Sequence, residues 1–240
     1  MPKIMKKIAP IAGLATCVVL YSVIIIAAIP YVGQQGETYS VFNHFISELG
    51  STRFSAQHFI YNNGIILSSL GFGLFTLGLA KYADTKLSRI AVVLGVISSV
   101  LCIGVGLVPE DNRVPHLILA LSFFSLMALS TTIFSWSIWK EEANQFPKYT
   151  ALHGFTIPVA FVLFMCMPKG LMAIKREAGP LFERPEIWWL PFLEWVIFIA
   201  LTSWILVISL NMFLLQRAKN SNEKLEEEHL TTANISMTNQ

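Results

Sequence analysis

The stretch "HFIYNNGIILSSLGFGLFTLGLAKYADTKLSRIAVVLGVISSVLCIGVGLV", His58 to Val108, decides the fold. It holds two long apolar runs, His58–Ala80 and Leu87–Val108, parted only by the short polar string "KYADTKLSR". Runs of roughly 20 apolar residues match the thickness of a bilayer's hydrocarbon core. Backbone groups in lipid have no water to bond, so each run must be a helix. A loop this short makes the two helices antiparallel neighbours. Working outward, four more such runs occur at Ile8–Val32, Pro115–Trp139, Thr150–Pro168 and Trp188–Leu215. The expected fold is an all-α membrane protein: a six-transmembrane-helix bundle over residues 1–215, followed by a polar, loosely ordered cytoplasmic tail over 216–240.

Composition agrees. The chain of 240 residues is 54% hydrophobic and 13% charged, with mean hydropathy +0.60. A soluble domain carries about 25% charge. The net charge of +2, with no basic stripe, excludes a nucleic-acid partner. Cys17, Cys102 and Cys166 all fall in apolar runs, which speaks against a disulfide framework. Lys3, Lys6 and Lys7 precede the first run as they would in a secretory signal. That run is too long for a signal core and ends without a small-x-small cleavage site, so it reads as a retained helix.

Lys and Arg favour the cytoplasmic side of short loops. With the N-terminus inside, eleven of them lie inside and six outside, so both termini are expected in the cytoplasm, in the cell membrane. Trp136 and Trp139 beside Lys140, and Trp188 and Trp189 at the other face, suit interfacial anchors. The Asn234-Ile235-Ser236 triplet then faces the cytoplasm, where it is not glycosylated.

Gly64, Gly71 and Gly78 repeat every seven residues in the second span, and Ala91, Gly95, Ser98, Cys102 and Gly106 line a face of the third. Small residues let membrane helices approach closely. The expectation is a tight hairpin of spans two and three, sealed along these stripes.

Ionisable residues near lipid are costly and therefore informative. They gather at the outer ends. Between the first two spans lies "NHFISELGSTRFSAQHFIYNNG", Asn43 to Gly64. His44 and Glu48 are four apart. A helix from Val41 to Leu49 would place them on one polar face and Phe42, Phe45, Ile46 and Leu49 on an apolar one. The expectation is a short amphipathic helix in the first outer loop, lying on the interface or folded over the bundle. His58 and Asn62 share a face one turn apart. Asp111 and His116 come from "VPEDNRVPH". Glu194 lies six residues past Trp188, about 9 Å along its helix. It needs a functional pocket, or else a route to the interface or a pairing with Arg53 or Arg184.

The catalytic candidates are His44, Glu48, His58, Asn62, Asp111 and His116; the binding candidates are Ser47, Glu48, Asn62, His116 and Glu194. Histidine with carboxylate is a zinc-ligand combination. No compact spacing such as H-E-x-x-H occurs, and no metal site is assigned. Ser47 could serve a Ser-His-Asp arrangement, but no nucleophile-elbow sequence surrounds it. A hydrogen-bonded structural cap accounts for the same residues. No cofactor fingerprint is present.

Three strings, "ISELG" (46–50), "YNNGIIL" (61–67) and "GLVPEDNRVPH" (106–116), together resemble the six-span membrane family catalogued as domain of unknown function 998. The resemblance spans about Ile8 to Leu215, is sharpest in the first four spans, and departs in having Tyr61 where phenylalanine is commoner. It implies the fold and a set of marked positions, and no reaction.

Three functions follow as expectations. One is a binding protein whose outer polar cluster takes a membrane lipid or a protein partner. Another is an intramembrane hydrolase or acyl-transfer enzyme acting on lipid. The last is a small transporter using Glu194 and His153. The transporter has least support, because no internal repeat is visible and only Pro158 interrupts a span centrally.

Overall fold

Thr85 shows how the chain turns from loop to helix. Its Oγ1 accepts the Ser88 N–H at 3.1 Å, while Ser88 Oγ lies 3.1 Å from the Thr85 N–H. That reciprocal cap starts a helix in the string "KYADTKLSR". The computed structural model describes residues 3–140, 145–167 and 184–238. The described residues form six α-helices: α1 Lys3–Ala28, α2 His58–Leu79, α3 Lys86–Leu107, α4 Arg113–Trp139, α5 Lys148–Cys166 and α6 Trp189–Thr238. There is no strand among them. All six are long and apolar enough to cross a membrane.

The helices form a closed ring. Each packs on the next in chain order, and α6 returns to pack on α1. Aromatic side chains fill the middle. Trp204 meets Phe75 at 6.3 Å and Phe134 at 6.4 Å, both edge to face, and its Nε1–H donates to the Thr150 carbonyl at 3.1 Å. Hydroxyls tie neighbouring helices together: Thr16 to Ser68 O, Ser98 to Phe123 O and Ser130 to Ala91 O. Such bonds leave little polar backbone to face lipid. Around the outside, Val18, Val100, Val159 and Leu214 are among many exposed apolar side chains.

Two expectations need correction. The α2 glycines do not seal against α3. A Cβ at Gly64 would strike Val23, one at Gly71 would strike Thr16, and one at Gly78 would strike Ala9. The stripe is therefore the α1–α2 seam. The small residues of α3 do meet α2, for Gly106 abuts the Asn62 carbonyl and Ile66, and Gly95 abuts Thr76. The short helix of the first loop exists, but as a single 3₁₀ turn, Ile46–Gly50, after turns at 41–43. It is folded into the bundle rather than laid on its surface, since Leu49 is fully buried and Glu48 is 5% exposed. The helix that carries the sixth span continues past Leu215 to Thr238. The expected positions of Pro168, Lys169, Lys175 and Arg176 lie outside the described residues.

Candidate functional site

The polar groups collect at one end of the ring, here the loop end. It carries residues 29–57, the α3–α4 connection and the start of α6. The 3₁₀ turn plugs it. Glu48 caps its own turn by accepting the Phe45 N–H at Oε1 (2.8 Å). Gly50 is where the turn touches α2: a Cβ there would meet Asn62 and the Tyr61 ring, and the Asn62 amide donates to the Gly50 carbonyl at 3.0 Å. The next residues bind the α3–α4 connection. Asp111 accepts from Ser51 Oγ (2.8 Å), from the Thr52 N–H (2.6 Å) and from Thr52 Oγ1 (2.9 Å). Burial pushes the Asp111 carboxyl up, but these donors and Arg53 hold it below its usual range.

The candidate residues thus divide into separate groups. Glu48 belongs to a buried clamp. Arg184 gives it a fork, Nη2 to Oε2 at 2.5 Å and Nη1 to Oε1 at 3.1 Å, and Tyr31 OH donates to Oε2 at 3.1 Å. Arg184 Nε also reaches Glu37 Oε1 at 3.1 Å, and Nη1 reaches the Asn43 carbonyl at 2.9 Å. Burial favours a neutral Glu37, yet its backbone donors and Arg184 lower its pKa. His44, 1% exposed, packs edge-on to Tyr31 with Nε2 3.7 Å from Glu37 Oε1. Burial lowers its pKa despite the nearby carboxylates. His58 only lies against the Ser55 carbonyl (3.0 Å) and Asn62 against Gly50. His153, in α5, lies 2.8 Å from Ser203 of α6.

His116 and Glu194 form a different group, with Ser47. All three line a cleft, and also a cavity of about 100 Å³ inside the ring. That cavity is otherwise mainly apolar, with Leu20, Ile65, Val105, Phe123 and Phe198 in its walls. The Ile46 N–H donates to Glu194 Oε2 at 2.8 Å. Glu194 is thus held by the 3₁₀ turn, while Arg53 lies against Asp111 and Arg184 against Glu48. His116 Nδ1 lies 2.7 Å from the Val108 carbonyl. A carbonyl only accepts, so Nδ1 carries the hydrogen. Nε2 is buried without a hydrogen-bond partner.

Adjoining the cleft is a charged vestibule of about 250 Å³, lined by Gln34, Glu48, Arg53, Glu110, Asp111 and Arg113, with Arg184. Glu110 and Arg113 line both vestibule and cleft. Burial raises the Glu110 pKa from 4.5 to about 7, helped by Glu48 and opposed by Arg113. The sign for stability follows. Below pH 4.5 folded and unfolded chains both carry the proton. Between 4.5 and about 7 only the unfolded chain ionises, so stability falls, and above that the loss is complete. Glu110→Gln is expected to match the parent near pH 4 and to exceed it near pH 8, by on the order of 3 kcal/mol. Melting curves of both proteins across that pH range check it.

Among the described residues, no three His, Cys, Asp or Glu side chains gather as a metal site requires. Sequence reading passed over Tyr31 and Glu37 and saw Arg184 only as a partner for Glu194. Nothing local marks these residues, because their partners are up to 147 positions away.

The ring of apolar helices and its plugged, polar loop end define a six-span helical membrane protein. The chain belongs to the DUF998 family, described as a protein of unknown function, whose model matches residues 14–211. No curated protein and no solved structure matches it.

Proposed function

We propose that this protein binds one acyl lipid, its head in the charged vestibule and its chain in the apolar cavity. The observation that carries this reading is continuity. Glu110 and Arg113 join vestibule to cleft, and Ser47, His116, Ala120, Phe124 and Glu194 join cleft to cavity. A path that changes from charged to apolar along its length suits an amphiphile. Arg53 and Arg113 in the vestibule suit a phosphate-bearing head. The excess of Lys and Arg at the opposite end supports an outward-facing loop end, with both termini in the cytoplasm of a cell whose outer membrane leaflet supplies the lipid.

The test is lipid retention. Protein purified in a detergent free of acyl lipid is extracted and the extract analysed by mass spectrometry. About one lipid per chain is expected, by the one-pocket geometry. Ala120→Trp, which fills the junction, should abolish retention, whereas Val100→Trp on the exposed face should not. Equal retention by both variants, or none by the parent, would refute the proposal.

A further inference from the structure

We propose that the junction between vestibule and cavity hydrolyses a carboxylic ester of the bound lipid, with His116 as the general base. The inference rests on the lipid-binding reading above. In a lipid lying head-up along that path, the ester linkages fall between the polar head and the apolar chain. That level is where Ser47, His116 and Glu194 line both the cleft and the cavity.

His116 has the form of a base awaiting a substrate. The hydrogen on Nδ1 is fixed to the Val108 carbonyl, which holds the ring and leaves a lone pair on Nε2. The residue is 8% exposed, and Nε2 is buried with no partner. An unsatisfied buried acceptor is unfavourable, and a hydrogen donor in the cavity would satisfy it. The His116 side chain contributes to the walls of both cleft and cavity.

The reaction balances without any co-reactant but water, which the polar vestibule admits. Nε2 takes a proton from water as the water oxygen bonds to the ester carbonyl carbon. The Arg113 guanidinium lines the same cleft beside Glu110, with Nε 3.9 Å from Glu110 Oε1, and is the cation that would stabilise the negative charge developing on the carbonyl oxygen. The carbon–alkoxy bond then breaks, and the proton passes from Nε2 to the leaving oxygen. The products are a fatty acid and a lipid alcohol. Glu194 is a positioning residue in this scheme: one carboxyl oxygen holds the Ile46 N–H, and the carboxyl accepts a hydrogen bond from the attacking water.

The full chain is reconstituted in vesicles of phosphatidylethanolamine and phosphatidylglycerol, and fatty acid and lysolipid are measured by mass spectrometry. The parent should release both in equal amounts. His116→Asn keeps a donor for Val108 and removes Nε2; it should lower release by about 100-fold or more, as loss of a general base does. Lipid retention and melting temperature should stay at the parental level. Glu194→Gln keeps an acceptor oxygen and should preserve most of the release, and Glu194→Leu should not. A parent that retains lipid but releases no fatty acid would overturn the hydrolytic step alone. A parent that retains no lipid would remove the reading beneath it. Undiminished release by His116→Asn, or an acyl adduct on Ser47 in the intact mass, would overturn the assignment of base and water.

Discussion

Arg184→Met is expected to lower stability by about 3–5 kcal/mol, the usual cost of stranding one member of a buried ion pair. Glu48 and Arg184 are 6% and 13% exposed at their side chains. Without the guanidinium, the partners left to Glu48 among the described residues would be Tyr31 OH and the Phe45 N–H. Glu37 and the Asn43 carbonyl would lose the same donor group. The plug and the loop before it should therefore loosen together. Adding Glu48→Gln removes the stranded charge, so the double variant should be more stable than Arg184→Met. Melting in detergent, followed by tryptophan fluorescence, reads both effects, since Trp195 donates to the His44 carbonyl nearby. If Arg184→Met melts with the parent, the clamp is not what holds the plug.

Gly71→Leu should be nearly as damaging, at about 2–4 kcal/mol, combining an overpacked contact with a lost hydrogen bond. Even a Cβ at Gly71 meets Thr16 Oγ1, and the Ala12 carbonyl is 3.3 Å away. A leucine must push α1 off α2. It would also break the bond from Thr16 to the Ser68 carbonyl, 3.2 Å long. The adjacent Leu70 is 52% exposed on the outer surface, so Leu70→Phe is the matched control. Equal melting temperatures for the two variants would show that the seam tolerates bulk.

These two sites mark what the sequence could and could not reveal. Six spans were legible because bilayer thickness sets a length that apolar runs either meet or miss. The glycine stripe of α2 was legible as well, but its partner was not. A short loop made α3 the obvious neighbour, while α1, across the long insert of residues 29–57, holds the glycine face. A helix has several faces, and periodicity names the face without naming what it meets. The insert failed in another way. His44 and Glu48 sit at helical spacing, yet the segment adopts a 3₁₀ turn because Ile46 and Leu49 are drawn into the core and Glu48 meets a charge from far along the chain. At the candidate site, the types and end of the bundle were readable. The sorting was not: Glu48 and Asp111 are spent on structure, whereas His116 and Glu194 face a cavity. The three strings that carried the family resemblance meet in space, through Gly50 with the Asn62 amide and Gly106 with the Asn62 carbonyl and Ile66.

The clamp also orders events in time. Glu48 is synthesised 136 residues before Arg184, and the Ile46 N–H waits 148 residues for Glu194. At about 5–20 residues per second, the carboxylate of the plug spends roughly 7–30 seconds without its counter-charge. Throughout that interval the first four spans can be made and paired, and Gly50 to Thr52 can meet Asn62 and Asp111, but the part of the loop before Gly50 still lacks the clamp of Arg184 and Glu194. A ribosome stalled before residue 184 should therefore leave this loop open to a protease on its own side of the membrane, and one released after the sixth helix has been made should not.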